Sequence, residues 1–400
     1  MRIGMIATEF PPDVGGMQVM AFRLATYLAT ANEVIVCTTD VPRATSSEFR
    51  VLANLRGRTE ADVAALQHVE ADVDVWLAMN AGYAAIANKL SKPLTVYFHG
   101  NDFLNPWVVS TPLLLRLLSK IPLLGKTWYD QRRVHAKAQI GAGIMSTAKV
   151  LTNSFNTKAL IHEHYPHCQT VCVCPPGVEE RFFQNDLATD RDGSVLNLLT
   201  VCRLNKGSRR KNVASVLKAL ASLRAKLNFT YSIVGDGDDL ENLRSLSNRL
   251  GLSNQVIFLG RVSDRDLLRL YKCASLFVLP AQSSCLDVEG FGIVYLEANA
   301  AGVPVLCSAA GGARDAVIDG QTGIVLPSSE PDRIAEGILH FVQSRSTYNA
   351  NRIRQLASNF KWEIRAREIE RQLLSSLNFV AAKAMLGNHS IPKCEAAATN

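Results

Sequence analysis

The segment Asp287 to Ala298, DVEGFGIVYLEA, carries two glutamates eight residues apart, Glu289 and Glu297. Gly290 and Gly292 let backbone approach a ligand closely, and a helix starting there turns free amides and the positive end of its dipole toward an anion. Glu289 then precedes the helix while Glu297 lies about two turns inside it. Two carboxylates so placed suit separate hydroxyls of one ligand. Solvated glutamates on a surface helix are the plainer reading, but the apolar residues on both sides argue against it.

A second candidate is Arg203 to Lys211, RLNKGSRRK, with five cations in nine residues. Just past a strand's carboxyl end such a loop suits a diphosphate, because arginine offers a fork and lysine a point charge. The segment from Pro11 to Gly16, PPDVGG, brings Gly15 and Gly16 to a first strand-to-helix turn but has no P-loop lysine. Gly235-Asp-Gly237 also follows a strand, yet Leu240 stands where a dinucleotide fingerprint wants a small residue, so it reads as a turn rather than an NAD site. His99, in YFHGND, ends a strand ahead of a glycine and is placed to donate a hydrogen bond to a substrate. Asp72 and Asp74 form a D-x-D string at the start of a strand, the wrong end for a site. His162, His164, His167, Cys168, Cys172 and Cys174 cluster as metal ligands do, but VCVC alternates like a buried strand and no second C-x-x-C follows. No metal is expected.

These residues need a scaffold, and the chain supplies strand, turn and helix in repetition. Strands are predicted at Arg2–Ala7, Val34–Thr38, Val73–Ala78, Leu94–Phe98, Val150–Asn153 and Val171–Cys174, with a helix over Met17–Thr30 and others between most strands. After a polar, acidic stretch the pattern restarts with Val195–Cys202. It continues through helices at Asn212–Leu227, Asp239–Leu250, Asp264–Cys273 and Gly292–Ala301, and strands at Thr230–Val234, Val256–Leu259, Leu276–Leu279, Val303–Cys307 and Gly323–Leu326. A last helix, Trp362–Leu377, has no strand after it. Such alternation is an α/β class of parallel sheets covered on both faces. The domains are placed at 1–185 and 186–359, with a helix over 360–378 returning to the first and a flexible tail over 387–400. Two doubly wound domains in tandem leave a cleft between the carboxyl ends of their sheets, a natural ligand site.

The 400 residues are 48% hydrophobic and 20% charged, which excludes disorder and a small disulfide scaffold. Nine scattered cysteines suggest a reducing compartment, and the opening MRIGMIATEFPPD shows no export signal, so the cytoplasm is the expected location. Charged residues break the apolar stretches before about 18 residues, so no membrane span is expected. The net charge of +7 is concentrated: Thr111 to Ile140 has six cations and one anion, and the loop from Arg203 has five cations. Pro112 to Leu124, PLLLRLLSKIPLL, sets Arg116, Ser119 and Lys120 on one narrow face, with Trp107 and Trp128 nearby. Such a basic amphipathic helix either packs within its domain or lies on an anionic membrane surface. Nothing here singles out nucleic acid.

Read in order, the GG loop, HGND, TNS, PPGV, R-L…K-N, VGDG, EGFGIVYLEA, AGVPV and GGARD resemble the retaining glycosyltransferases of family four with the GT-B fold. The resemblance runs from Arg2 to about Leu377. Its nearest flavour is the bacterial phosphatidylinositol mannosyltransferase-like group, whose motif also reads EG-x-GIVYLEA. It implies two Rossmann-like domains facing a cleft and transfer of a hexosyl group from GDP-mannose or a UDP-hexose to a glycan or lipid-linked acceptor. No cofactor or essential metal is implied, and the acceptor side points to Trp107, Arg116 and Lys120. By matching positions, Gly15 and Gly16 lie beside the donor phosphates, with Gly235 also on the donor side, and His99 contacts the donor sugar. Arg203 and Lys211 hold the diphosphate, and Glu289 faces the sugar. Gly290, Phe291, Gly292 and Ile293 present backbone to sugar and phosphate, and Glu297 holds the ribose hydroxyls. Two departures stand out. The family usually spaces its arginine and lysine more closely, which leaves Lys206 as a rival to Lys211, and it often has proline and glutamate after GGA where this chain has Arg314 and Asp315. A sugar-nucleotide epimerase of the same fold and a silent nucleotide-sugar binder are the competing readings; the basic loop argues against the first and the occupied motif positions against the second.

Overall fold

A computed structural model describes residues 1–11, 15–39, 47–57, 59–106, 124–184 and 195–386, with side chains left out of account at 124–129 and 379–386. The segment with Trp107, Arg116 and Lys120, the Trp128 side chain, the stretch 185–194 and the tail 387–400 lie outside the described residues.

Short runs of β-branched and aromatic residues form two parallel sheets. In the first, β1 (Arg2–Ile6), β2 (Glu33–Cys37), β3 (Arg50–Leu52), β4 (Val75–Ala78), β5 (Leu94–Phe98), β6 (Lys149–Thr152) and β7 (Val171–Val173) lie in the order β3-β2-β1-β4-β5-β6-β7. In the second, β8 (Leu196–Val201), β9 (Phe229–Val234), β10 (Val256–Gly260), β11 (Leu276–Leu279), β12 (Val305–Ser308) and β13 (Gly323–Leu326) lie in the order β10-β9-β8-β11-β12-β13. Both are doubly wound, with the first strand of each unit near the centre and the order reversing beside it, so crevices open at the carboxyl ends. Those ends carry candidate residues: His99 follows β5, Arg203 follows β8 and Gly235 follows β9, while Asn153 follows β6.

The two faces of the first sheet bury separate clusters. One includes Ile6, Trp76, Val96, Phe98 and Ile161; the other gathers Ile3, Met5, Val34, Tyr97 and Leu151. The C-terminal helix Trp362–Leu386 crosses back to complete the second of these, burying Trp362, Ile369 and Leu373 there. Thr95 and Ser376 share a buried hydrogen bond at 3.0 Å.

Several boundaries differ from the sequence expectation for local reasons. Asn212 adopts a left-handed conformation (φ 62°), so the expected helix from Asn212 begins at Val213 and ends at Leu223. The Val303 N–H closes the preceding helix turn on the Ala298 carbonyl at 2.9 Å, so β12 starts at Val305. The edge strand β3 was not foreseen, and the last helix continues past Leu377 to Leu386. Asp74 and Asp72, at the opposite end from the cleft, pair with Arg2 (2.7 Å) and Arg50 (3.6 Å).

Candidate functional site

On the second domain, the basic loop folds into a 3₁₀ turn over Lys206–Lys211 that stops at Asn212. The Asn212 carboxamide donates to the carbonyls of Pro280 (3.1 Å) and Ser329 (2.8 Å), which fixes the turn against β11 and β13. The turn sorts three consecutive cations. Arg209 points to Asp239 at 2.6 Å, whereas Arg210 and Lys211 turn inward to one oxygen, Glu289 Oε2, at 2.8 and 2.5 Å. Arg210 Nε also reaches Asp287 Oδ1 at 2.7 Å. Glu289 is only 5% exposed. Burial pushes its carboxyl up, but the Lys211 ammonium and Arg210 guanidinium more than offset this and hold it at about 2. It is an anion at every physiological pH.

Gly292 (φ 88°) starts the helix Ile293–Ala300 three residues after Glu289, a backbone angle that a side chain would strain. Tyr295, in the first turn, donates from its hydroxyl to the Leu279 carbonyl at 2.8 Å and ties the helix to β11. Further along, Glu297 accepts a hydrogen bond from the Tyr271 hydroxyl at 2.7 Å. Burial raises its carboxyl to about 7, with the Tyr271 bond opposing, so it is poised near neutrality.

On the first domain, β5 ends in His99 and Gly100 (φ 109°). Asp102 folds back under this turn and accepts N–H bonds from His99 (2.9 Å), Gly100 (2.9 Å) and Ala81 (2.8 Å). Burial pushes the Asp102 carboxyl up to about 6 against these three donors. His99 is buried, and its Nε2 has no hydrogen-bond partner among the described residues. Burial lowers its pKa to about 4, opposed by a hydrogen bond to the Met79 backbone, so the imidazole is neutral at pH 7. A buried, unpaired, neutral imidazole nitrogen is costly unless something binds it.

The two halves meet here. A Cβ on Gly290 would stand 2.4 Å from the His99 carbonyl oxygen and 2.7 Å from Asn153 Nδ2, and one on Gly312 only 2.0 Å from the Gly290 carbonyl oxygen. Gly312 donates its N–H to the Glu289 carbonyl at 2.7 Å, so the GGA turn after β12 cradles the glutamate segment. A Cβ on Gly15 would lie 3.5 Å from Arg203 Nη1, which sets the first domain's glycine loop beside the second domain's exposed arginine. Cations, a buried carboxylate, a helix start and a neutral histidine are thus gathered where the two domains meet, a constellation suited to a polyhydroxylated ligand bearing phosphate.

Residues 14–182 match the family model of Glycosyltransferase Family 4, and residues 192–359 that of glycosyl transferases group 1. The chain belongs to the family 4 glycosyltransferases. Among curated relatives, a GDP-mannose-dependent alpha-(1-6)-phosphatidylinositol monomannoside mannosyltransferase of Mycobacterium tuberculosis is 35% identical over 178 residues, 43% of this chain and 46% of that protein. The chain thus spans about half the length of that relative in the match. A D-inositol 3-phosphate glycosyltransferase of Frankia alni is 28% identical over 92% of this chain and 96% of its own. Among solved structures, sucrose-phosphate synthase of Thermosynechococcus elongatus superposes with a TM-score of 0.71 at 19% identity, covering 95% of this chain and 99% of that one. WaaG, a glycosyltransferase involved in lipopolysaccharide biosynthesis, gives 0.67 at 20% identity over 93% and 99%. The fold is GT-B.

The family 4 glycosyltransferase brings together most of the residues singled out in its sequence. Lys211, rather than Lys206, reaches Glu289; the Lys206 backbone N–H instead bonds Asp238 at 2.7 Å on the surface. Phe291 is buried beside Phe360, and Ile293 packs against the first domain's cluster, so their side chains build the core. Gly235 (φ 140°) would drive a Cβ to 1.8 Å from the Cys202 carbonyl oxygen, a close packing of β9's exit on β8's. Asp315 accepts the Asn156 N–H at 3.3 Å across the domains. Among the described residues no group of three or more His, Cys, Asp or Glu side chains is arranged to hold a metal, and His167 bonds the Gly141 carbonyl instead. Arg210, Asp102 and Asn153 were not foreseen. In the run RRK nothing distinguishes the arginine that turns inward, although the two asparagine- and aspartate-bearing strings HGND and TNS were visible as loop residues at strand ends.

Proposed function

We propose that this chain is a retaining hexosyltransferase that moves a hexosyl group from a nucleoside-diphosphate sugar to a hydroxyl of a glycan or lipid-linked acceptor. The observation that carries the reading is the buried Glu289 carboxylate, held by Arg210 and Lys211 just ahead of the helix start at Gly292, with the loop of the unpaired His99 packed on the adjacent Gly290. Glu289 would accept sugar hydroxyls while His99 Nε2 meets another polar group of the sugar. Breaking the bond from the anomeric carbon to the diphosphate puts negative charge on the departing phosphate. Arg203, Lys211 and the first-turn amides of the helix Ile293–Ala300 would stabilise it, each lost donor costing on the order of a hundredfold in rate. Positive charge from the chain itself then does what a divalent metal would do, and none is required. Glu297, two turns on, would hold the ribose hydroxyls.

GDP-mannose is the favoured donor because several curated relatives about 35% identical over their matched parts are named GDP-mannose-dependent; a UDP-hexose is the alternative. The basic apolar segment with Trp107, Arg116 and Lys120 supports a peripheral contact with an anionic membrane and hence a lipid-linked acceptor in envelope or polysaccharide synthesis. No helix among the described residues is long and apolar enough to cross a membrane. The deciding experiment is a screen of GDP- and UDP-hexoses for donor turnover, in buffer with and without EDTA, comparing the wild type with Glu289→Ala. Turnover of at least one donor that survives EDTA and is lost in the variant is expected. Unchanged product formation in the variant would overturn the site. Flotation with vesicles containing anionic lipid at low salt tests the membrane contact.

A further inference from the structure

We propose that Asn101 is a positioning residue that latches the two domains together, setting Glu289 in register with His99; the catalytic part of this inference rests on the donor-site reading above. Its carboxamide is used twice across the cleft. Nδ2 donates to Asp287 Oδ1 at 2.7 Å, and Oδ1 accepts the backbone N–H of Val288 at 2.8 Å. The same Asp287 oxygen receives Arg210 Nε at 2.7 Å, and Arg210 continues through Nη1 to Glu289 Oε2 at 2.8 Å. A continuous set of polar contacts therefore runs from the residue two places after His99 to the Glu289 carboxylate.

A second observation points the same way. Val288 belongs to the chain of the second domain, yet its side chain is buried in the first domain's cluster, and a Cβ on Gly100 would touch it at 3.2 Å. Opening the cleft must break both Asn101 bonds and expose Val288. The residue type matters: an asparagine side chain offers one acceptor and one donor group at this length, whereas an aspartate would set a second carboxylate against Asp287. Asn101 touches neither reacting bond nor phosphate in this scheme; it acts through Asp287 and Arg210.

The experiment uses the full chain with Asn101→Ala, Asn101→Asp, Asp287→Ala and the Asn101→Ala/Asp287→Ala pair, and reads three quantities. With GDP-mannose and UDP-glucose as probes, Asn101→Ala is expected to lower kcat by about 10- to 100-fold, the scale of a small misplacement of reacting groups, with the melting temperature little changed. Asn101→Asp should be worse than Asn101→Ala. The double variant should lose no more than its worse single parent, as residues acting through one contact do. Small-angle scattering should show a larger radius of gyration in Asn101→Asp than in the wild type. Wild-type kcat and scattering in both Asn101 variants, or strictly additive losses in the pair, would overturn the latch. If the wild type turns over neither probe, the donor reading fails while the scattering comparison still decides the latch.

Discussion

The Lys211 ammonium lies 2.5 Å from the Glu289 carboxylate, and both side chains are largely withdrawn from water. Glu289 ionises at about 2 rather than its ordinary 4.5, so it stabilises the fold above pH 4.5, and that contribution fades as the pH falls toward 2. Lys211→Met leaves Arg210 alone to offset the buried charge. Denaturation by urea at pH 7 should show a loss of about 1–3 kcal/mol, and the acid-dependent part of the stability between pH 4.5 and 2 should shrink. Donor turnover should fall about a hundredfold or more. Lys211→Arg should recover most of the stability but less of the turnover, because a planar fork cannot sit where a point charge does.

Glu297 behaves in the opposite sense. Its carboxyl is raised by burial from 4.5 to about 7, so between those values the unfolded chain ionises while the folded chain keeps its proton. Stability is unaffected below pH 4.5, falls as the pH rises through this window, and carries the full penalty above 7. Glu297→Gln mimics the protonated form and can still accept the Tyr271 hydroxyl. It should match the wild type at pH 4.5 and be more stable at pH 8, measured by urea denaturation at both. If the carboxylate holds ribose hydroxyls, the wild-type KM for the donor should fall between pH 6 and 8 and that of the variant should not.

His99 adds a third titration. Its pKa is depressed from 6.5 to about 4, so the unfolded chain takes up a proton as the pH falls through 6.5 while the folded chain resists until about 4. The folded state loses stability across that interval. Asp102, raised to about 6, works in the other direction over an overlapping range, so the signature lies in the difference between proteins. The wild type minus His99→Ala should show a stability gap that closes as the pH falls from 6.5 to 4. Turnover should drop about a hundredfold in the variant, and at saturating donor the wild-type and variant pH–rate profiles should not differ by an ionisation near 6.5, since the imidazole is already neutral there.

Much of this was legible in the residues. Four of the second-domain strands, β9, β10, β11 and β13, were visible as apolar runs closed by Gly or Pro, and the E-x7-E spacing located both glutamates about a helix start. What stayed hidden depends on where a turn aims its side chains. Arg209, Arg210 and Lys211 are indistinguishable as charges, and only the left-handed backbone at Asn212, itself pinned by carbonyls from Pro280 and Ser329, sends one outward and two inward. The edge strand β3 has three residues and partial burial, too little pattern to mark it. The meeting of Asn101 with Asp287 joins positions 186 apart, a distance that no local period records.

Gly290 gives the most direct test of whether the cleft must close as seen. A methyl group there would meet the His99 carbonyl oxygen at 2.4 Å and Asn153 Nδ2 at 2.7 Å, and neither can easily give way. The carbonyl is backbone fixed by Asp102, and Asn153 donates to that same oxygen at 3.1 Å. The clash therefore falls between domains rather than within either core. Gly290→Ala should leave each domain folded, with little change in far-ultraviolet circular dichroism, yet separate the loops that carry His99 and Glu289. Donor turnover should fall by about a hundredfold, the scale set by a displacement near 1 Å. Wild-type turnover in Gly290→Ala would mean that closure against His99 is not what limits the reaction.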